Sequence, residues 1–440
     1  MGRLWIRGGR VVDPASGRDE VADVLIEGGR IVAVARGMRP EGAGVLEAGG
    51  LVVAPGLVDL HVHLREPGQT HKEDIASGTR AAARGGVTSV VCMANTQPPA
   101  DDPVVVEFIR SRAEKVGLVR VYPVGAITKR LEGKELSPIG ALAAAGAVGL
   151  SDDGRSVPSA GLLRRAMLYA RMFGLPILEH CEDPSVSAGG VMHEGAVSAR
   201  LGLRGIPRSA EEVMVARDLL LAEETGAHVH IQHVSSRGSV RLIREAKARG
   251  VRVTAEVTPH HLTLTDESVE GYDPNFKVNP PLRTAEDIEA LLEGLRDGTL
   301  DCIATDHAPH APAEKLVEYD AAPFGVIGLE TLLGVVLTRL VWQEGWPLSR
   351  VLALLTDRPA RILGLPGGRL QPGDPADLVI LDPEREWVVD PEQFHSKSRN
   401  TPFTGWTLRG KVLATLVEGR IVWMEEDLSS RLLPVGAGAG

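Results

Sequence analysis

Hydrophobic and polar positions follow two rhythms along the chain. Over the first 55 residues short apolar groups recur: Trp5-Ile6, Val11-Val12, Val24-Leu25-Ile26 and Ile31-Val32-Ala33-Val34. Gly-Gly pairs and Asp13-Pro14 separate them at hairpin-like spacing. The far end behaves alike, with strand patterns over 376–382 and 411–423. Neither end is large enough to close a core alone. The pattern therefore predicts one small β-sandwich composed of residues 1–55 and 366–440.

Between them, strand-length apolar runs alternate with segments of helical period. The strands are expected over 57–64, 87–94, 120–127, 147–152, 176–181, 228–234, 252–258 and 301–306. Helices are expected over 72–84, 103–115, 161–173, 210–225, 239–250 and 285–298. Residues 56–365 thus predict an α/β fold, a (β/α)8 TIM-like barrel, with an open doubly wound sheet as the alternative.

A barrel of this kind keeps its chemistry at the carboxyl ends of its strands. His61 and His63 stand two apart, so a strand turns both to one side. Other strand ends carry Asn95, Asp152 and Asp153, His180, His233, and the run Asp306-His307-Ala308-Pro309-His310; Asn279 follows strand seven. Imidazole and carboxylate donors together suit zinc or a similar divalent ion. Buried without one, such a cluster leaves polar groups unpaired. Strand parity sends His228 and His230 toward the helices, opposite to His233; a slipped register would put His230 in its place. Cys181, next to His180, is expected to pack, and Glu179 to lie in the core or behind the ligands. His260 and His261 are expected to shape the barrel mouth, His307 to face away from Asp306, and His71, His193 and His395 to lie on the surface. The polar stretch 309–323 is expected to be a lid.

Composition narrows the picture. The net charge of −10 over 440 residues argues against nucleic acid as a partner. Three cysteines, Cys92, Cys181 and Cys302, sit in apolar runs and suit reduced core thiols in the cytoplasm. The N-terminus shows no signal-peptide pattern. The longest apolar stretch, 332–342, is broken by Arg339 and too short for a bilayer, so no membrane association is expected.

The motifs point to a family. Gly56-Leu57-Val58-Asp59-Leu60-His61-Val62-His63-Leu64-Arg65-Glu66-Pro67-Gly68 resembles the first-strand motif of the cyclic amidohydrolases, the dihydroorotases in particular. Thr258-Pro259-His260-His261-Leu262, the run 304–310, Ala322-Pro323-Phe324-Gly325, Gly328-Leu329-Glu330-Thr331 and Asn400-Thr401-Pro402-Phe403 are similar to the same family. The resemblance implies reversible cyclisation of N-carbamoyl-L-aspartate to L-dihydroorotate, driven by a zinc-bound hydroxide. It implies His61 and His63 on one Zn2+, His180 and His233 on a second, Asp153 bridging, and Asp306 as ligand and acid–base. Arg65, Asn95 and His310 would hold the substrate carboxylate; Asn279 and the Phe324-Gly325 backbone would contact the ring. Many relatives bridge their metals with a carboxylated lysine after strand four. None lies between Ala147 and Arg165, so an aspartate subgroup fits better, with Asp152 competing with Asp153. A hydantoinase or allantoinase, and a non-catalytic partner of aspartate carbamoyltransferase, are the alternatives. Association with that enzyme and self-association are left open.

Overall fold

Two parallel ladders build the middle of the chain. Leu57–Val62, Val87–Cys92 and Arg120–Pro123 form one; Ile177–Glu179, Val229–Ile231, Val253–Val257 and Cys302–Ile303 form the other. Leu150 joins them on one side, bridging both Gly125 and Ile177, and Val62 closes the ring against His307. The result is a TIM-like barrel. The strand expected over 147–152 contracts to that single bridging residue. Immediately after it, the Asp152 carboxylate accepts from the Ile127 and Thr128 N–H groups (2.8 and 3.0 Å) and turns the chain out of the ladder. The computed structural model describes residues 2–433.

Alternation along each strand separates two apolar layers. Val58, Leu60, Val91, Met93, Val124, Leu178, Cys302 and Ala304 fill the barrel. Leu57, Val62, Val87, Val90, Ile177, Val229 and Val257 face the surrounding helices. The helices start where capping residues allow. Asp74 accepts from Ser77 N ahead of Ile75–Arg84, Asp102 from Val104 N ahead of Pro103–Val116, and Ser236 from Ser239 N ahead of Arg237–Ala248. Ala285–Asp297 carries a reciprocal cap between Thr284 and Asp287. The apolar run 332–342 forms a short helix, Leu332–Val336, continuing into a π-helical turn, Leu337–Gln343.

Both ends of the chain contribute to one nine-stranded sheet, in which Val52–Pro55 pairs with Leu378–Val388. The sheet curls until its ends meet, Gly419 against Ile26 and Gly29 against Glu418. It encloses a second core that includes Ile6, Val24, Leu46, Val53, Ile380 and Leu416.

One irregularity positions the site. Pairing between the first two barrel strands slips between Asp59 and Val62. After this bulge His61 and His63 point into the mouth while Val62 and Leu64 join the outer layer. Buried Asp59 fixes the slip, accepting from His61 N (3.1 Å), Thr305 N (3.1 Å) and Thr305 Oγ1 (2.6 Å). Strand one is thereby tied to strand eight directly below the histidines.

Candidate active site

The six residues expected as metal donors meet at the barrel mouth. His61 Nε2 lies 3.3 Å from Asp153 Oδ1 and 3.4 Å from Asp306 Oδ1. His63 Nε2 lies 3.0 Å from Asp306 Oδ1 and 3.4 Å from Asp153 Oδ2. On the other side of Asp153, its Oδ1 is 3.8 Å from His180 Nδ1 and 3.7 Å from His233 Nε2, and those two nitrogens are 2.8 Å apart. Asp153 thus stands between two histidine pairs. Asp152 is spent on the 127–128 turn, so geometry places only Asp153 in the cluster.

Three of the surrounding residues have backbone strain in common. Arg65, His233 and Asp306 hold positive φ (58°, 33° and 49°), a region that non-glycine residues seldom occupy. This corrects the parity argument for strand six. His230 faces the barrel interior, where its Nε2 meets Glu256 Oε2 at 3.1 Å and its Nδ1 meets Thr254 Oγ1 at 2.9 Å. His233 reaches the site because the left-handed turn re-aims it. His193, expected on the surface, is buried against Arg283, whose Nη1 is 3.1 Å from its Nδ1.

Three of the four histidine rings are held from behind. His61 Nδ1 meets Glu256 Oε1 at 2.8 Å, His63 Nδ1 meets Asn95 Oδ1 at 2.8 Å, and His180 Nε2 meets Glu182 Oε2 at 2.9 Å. Each ring therefore turns its other nitrogen to the cluster, as metal-binding imidazoles do. His61 Nε2 and Asp153 Oδ1 are buried with no hydrogen-bond partner, so the cluster fits a divalent cation. Electrostatics agree. Burial works to raise the Asp153 carboxyl, but His61, His233 and His63 outweigh it and hold it well below the usual carboxylate range. Asp306 is likewise lowered, burial again being outweighed by His61 and His63. Both carboxylates are thereby held ionised, the form that ligates a cation, and a bound cation would take the place of the imidazole protons.

Sequence reasoning missed Glu256 and Glu182. A lone acid inside the apolar run 252–258 was the signal for Glu256; two buried imidazoles against it hold it at about 2 despite burial. Glu179 lies in the core, where burial and Asp218 push it well up; Glu182 instead backs His180.

The expected substrate contacts group around this cluster. Arg65 is largely buried; its Nε donates to the Pro309 carbonyl at 3.2 Å. Asn95 orients His63 and keeps its Nδ2 3.4 Å from the Asp153 carbonyl. Asn279 Nδ2 donates to Glu182 at 2.6 Å, beside His180. His310 Nε2 donates to the Phe324 carbonyl at 2.8 Å, leaving a buried, unpartnered Nδ1. The Gly325 N–H is occupied by the Lys277 carbonyl at 2.8 Å, so that N–H is not available to a ring. The Phe324-Gly325 backbone still offers the Phe324 N–H and the second lone pairs of its two carbonyls. His261 bridges Thr258 Oγ1 and the Pro280 carbonyl (2.8 and 2.9 Å) and so shapes the mouth. The stretch expected as a lid is pinned: Lys315 Nζ donates to the Pro274 and Pro323 carbonyls, and Lys72 pairs with Glu314 at 2.8 Å.

A parallel barrel with imidazole and carboxylate donors converging at its carboxyl end has the architecture of a metal-dependent hydrolase, with groups that could hold a divalent ion. Residues 50–239 match the model of the dihydro-orotase-like family, and residues 207–423 match that of the amidohydrolase family. The chain is 58% identical to a dihydroorotase of Pelotomaculum thermopropionicum, covering 96% of this chain and 99% of that one. It is 53% identical to one of Syntrophus aciditrophicus, over 96% of this chain and 100% of that protein. Among solved structures, an L-hydantoinase from Arthrobacter aurescens superposes with a TM-score of 0.86 at 28% identity, over 96% of each chain. The chain belongs to the dihydroorotase family.

Proposed function

We propose that this chain interconverts N-carbamoyl-L-aspartate and L-dihydroorotate, a step of pyrimidine biosynthesis, with Asp306 as acid–base and Arg65 as the carboxylate anchor. The observation that carries this reading is Arg65. Its guanidinium sits beside the donor cluster with a carbonyl as its hydrogen-bond partner, and it forms no salt bridge among the described residues. A buried cation in that state is matched by a substrate carboxylate, which it can grip bidentately.

In the hydrolytic direction water adds to the ring amide carbonyl, Asp306 accepts the proton released, and the same carboxyl returns it to the departing ring nitrogen. Zn2+ is the proposed metal, two per chain, held by His61, His63, Asp153, His180, His233 and Asp306. Bound there, it would supply Lewis acidity that acidifies water and polarises the carbonyl. Arg65, Asn95 and His310 fix the substrate carboxylate. His310 now has only one N–H, but an arriving anion favours its doubly protonated form. Asn279 and the Phe324-Gly325 backbone are the proposed contacts to the ring.

The hydantoinase and allantoinase alternatives lack a use for Arg65, and a non-catalytic scaffold lacks a use for six converging donors. No helix of the described residues is long and apolar enough to cross a membrane; the cytoplasmic location is proposed from the three buried free cysteines. Aspartate carbamoyltransferase is the proposed protein partner, tested by co-purification. The direct test of function is turnover of dihydroorotate, hydantoin and allantoin by the purified chain, with metal measured on the same sample. Dihydroorotate is expected to be preferred; a preference for hydantoin would overturn the proposal.

Glu256 gives a second check. Glu256→Gln keeps the shape but removes the charge that holds His61 Nδ1–H. Metal affinity is expected to fall roughly 10- to 100-fold, read by competition with a chromophoric chelator. Unchanged affinity would reduce Glu256 to a packing residue.

A further inference from the structure

We propose that Asn400 is a positioning residue for substrate binding, setting the loop that carries His310 and Gly325 from outside the barrel. The motif Asn400-Thr401-Pro402-Phe403 lies more than ninety residues beyond the last barrel strand in sequence, and no catalytic role consumes it. In space its carboxamide is at the mouth. Asn400 Oδ1 accepts from His310 N at 3.2 Å, and Asn400 Nδ2 donates to the Ala308 carbonyl at 3.0 Å and the Gly325 carbonyl at 3.1 Å. One buried side chain therefore satisfies three backbone groups on two strands of chain.

Those two strands are the ones whose separation matters. Ala308 N donates to the Val326 carbonyl at 2.8 Å, and Ile327 N to the Asn400 carbonyl at 3.0 Å, so the segments lie side by side. They approach so closely at Gly325 (φ 124°) that a Cβ there would stand 2.7 Å from Ala308 Cβ and 3.2 Å from His310 Nε2. Behind Asn400, Phe403 packs into a cluster with Val326, Ile327 and Leu408. The Ser396 hydroxyl and the Lys397 N–H anchor the same segment on Glu73. The carboxamide is thus held rigidly on one side and defines the loop on the other. Neither hydrogen-bonding half is replaceable. A carboxylate keeps the acceptor but faces two carbonyl oxygens, and a methyl group leaves three buried backbone groups unpaired.

This inference rests on the proposed role of His310 in binding the substrate carboxylate. The test measures kcat, KM for dihydroorotate, metal content and melting temperature for the wild type, Asn400→Ala, Asn400→Asp and His310→Ala. For both Asn400 variants KM is expected to rise roughly tenfold, with kcat per folded chain within about threefold and metal content unchanged. Asn400→Asp, isosteric, guards against a cavity effect in Asn400→Ala. A merely structural role predicts lower melting temperature and less active protein at unchanged KM, and that result overturns the proposal. If His310→Ala raises KM but the Asn400 variants do not, Asn400 alone is misassigned. If His310→Ala leaves KM unchanged, the reading of His310 fails and the positioning role falls with it.

Discussion

Asp306→Asn is expected to lower kcat for dihydroorotate hydrolysis by about 10³-fold or more while leaving the chain folded. The substitution is close to isosteric. It also suits the backbone, since asparagine tolerates the left-handed conformation that Asp306 adopts at φ 49°. What it removes is the carboxylate oxygen proposed to take the proton, 3.0 Å from His63 Nε2 and 3.4 Å from His61 Nε2 at the centre of the donor cluster. An amide cannot take that proton, nor return it to the ring nitrogen. Because Asp306 is also a proposed metal donor, the same samples need metal analysis. Loss of activity at full metal content identifies the proton-transfer role. Recovery of activity on adding excess metal would reassign Asp306 to ligation alone, and turnover within about tenfold of wild type would remove it from the chemistry.

The legible parts of this protein are those where sequence period and chemistry coincide. The helices begin within a few residues of their expected starts because Asp102, Ser236 and Thr284 are strong caps just before apolar-periodic runs. His61 and His63 were legible because the two-residue strand period survives the bulge that precedes them. Parity was expected to turn His233 inward and His230 outward; His230 faces inward as well, and His233 reaches the site through its own left-handed turn, which period-two reasoning does not foresee. The shortened fourth strand has a similar origin. Asp152 spends its carboxylate on backbone N–H groups of the preceding strand's loop, a tertiary contact invisible in local pattern. Glu256, Glu182 and the reach of Asn400 likewise depend on which strands become neighbours in the closed ring.

Arg65→Ala is expected to separate substrate choice from the hydrolytic machinery. Against dihydroorotate, kcat/KM should fall roughly 10³-fold, the scale of a buried charge-assisted pair losing one partner. Against hydantoin, which has no carboxylate, it should stay within about threefold. The backbone argues that the variant folds: alanine meets the same left-handed conformation (φ 58°) that arginine already accepts there. The Arg65 guanidinium also bonds the Pro309 carbonyl at 3.2 Å, next to His310, so its removal could loosen that loop. Arg65→Lys separates the two effects. Lysine restores a positive charge without the planar fork, so partial recovery on dihydroorotate marks a charge-and-geometry role. Equal losses on dihydroorotate and hydantoin, or loss of metal from Arg65→Ala, would instead make Arg65 a structural support of the mouth. Family membership accounts for a hydrolase of cyclic amides, and the proposed role of this buried cation is to select an acidic one.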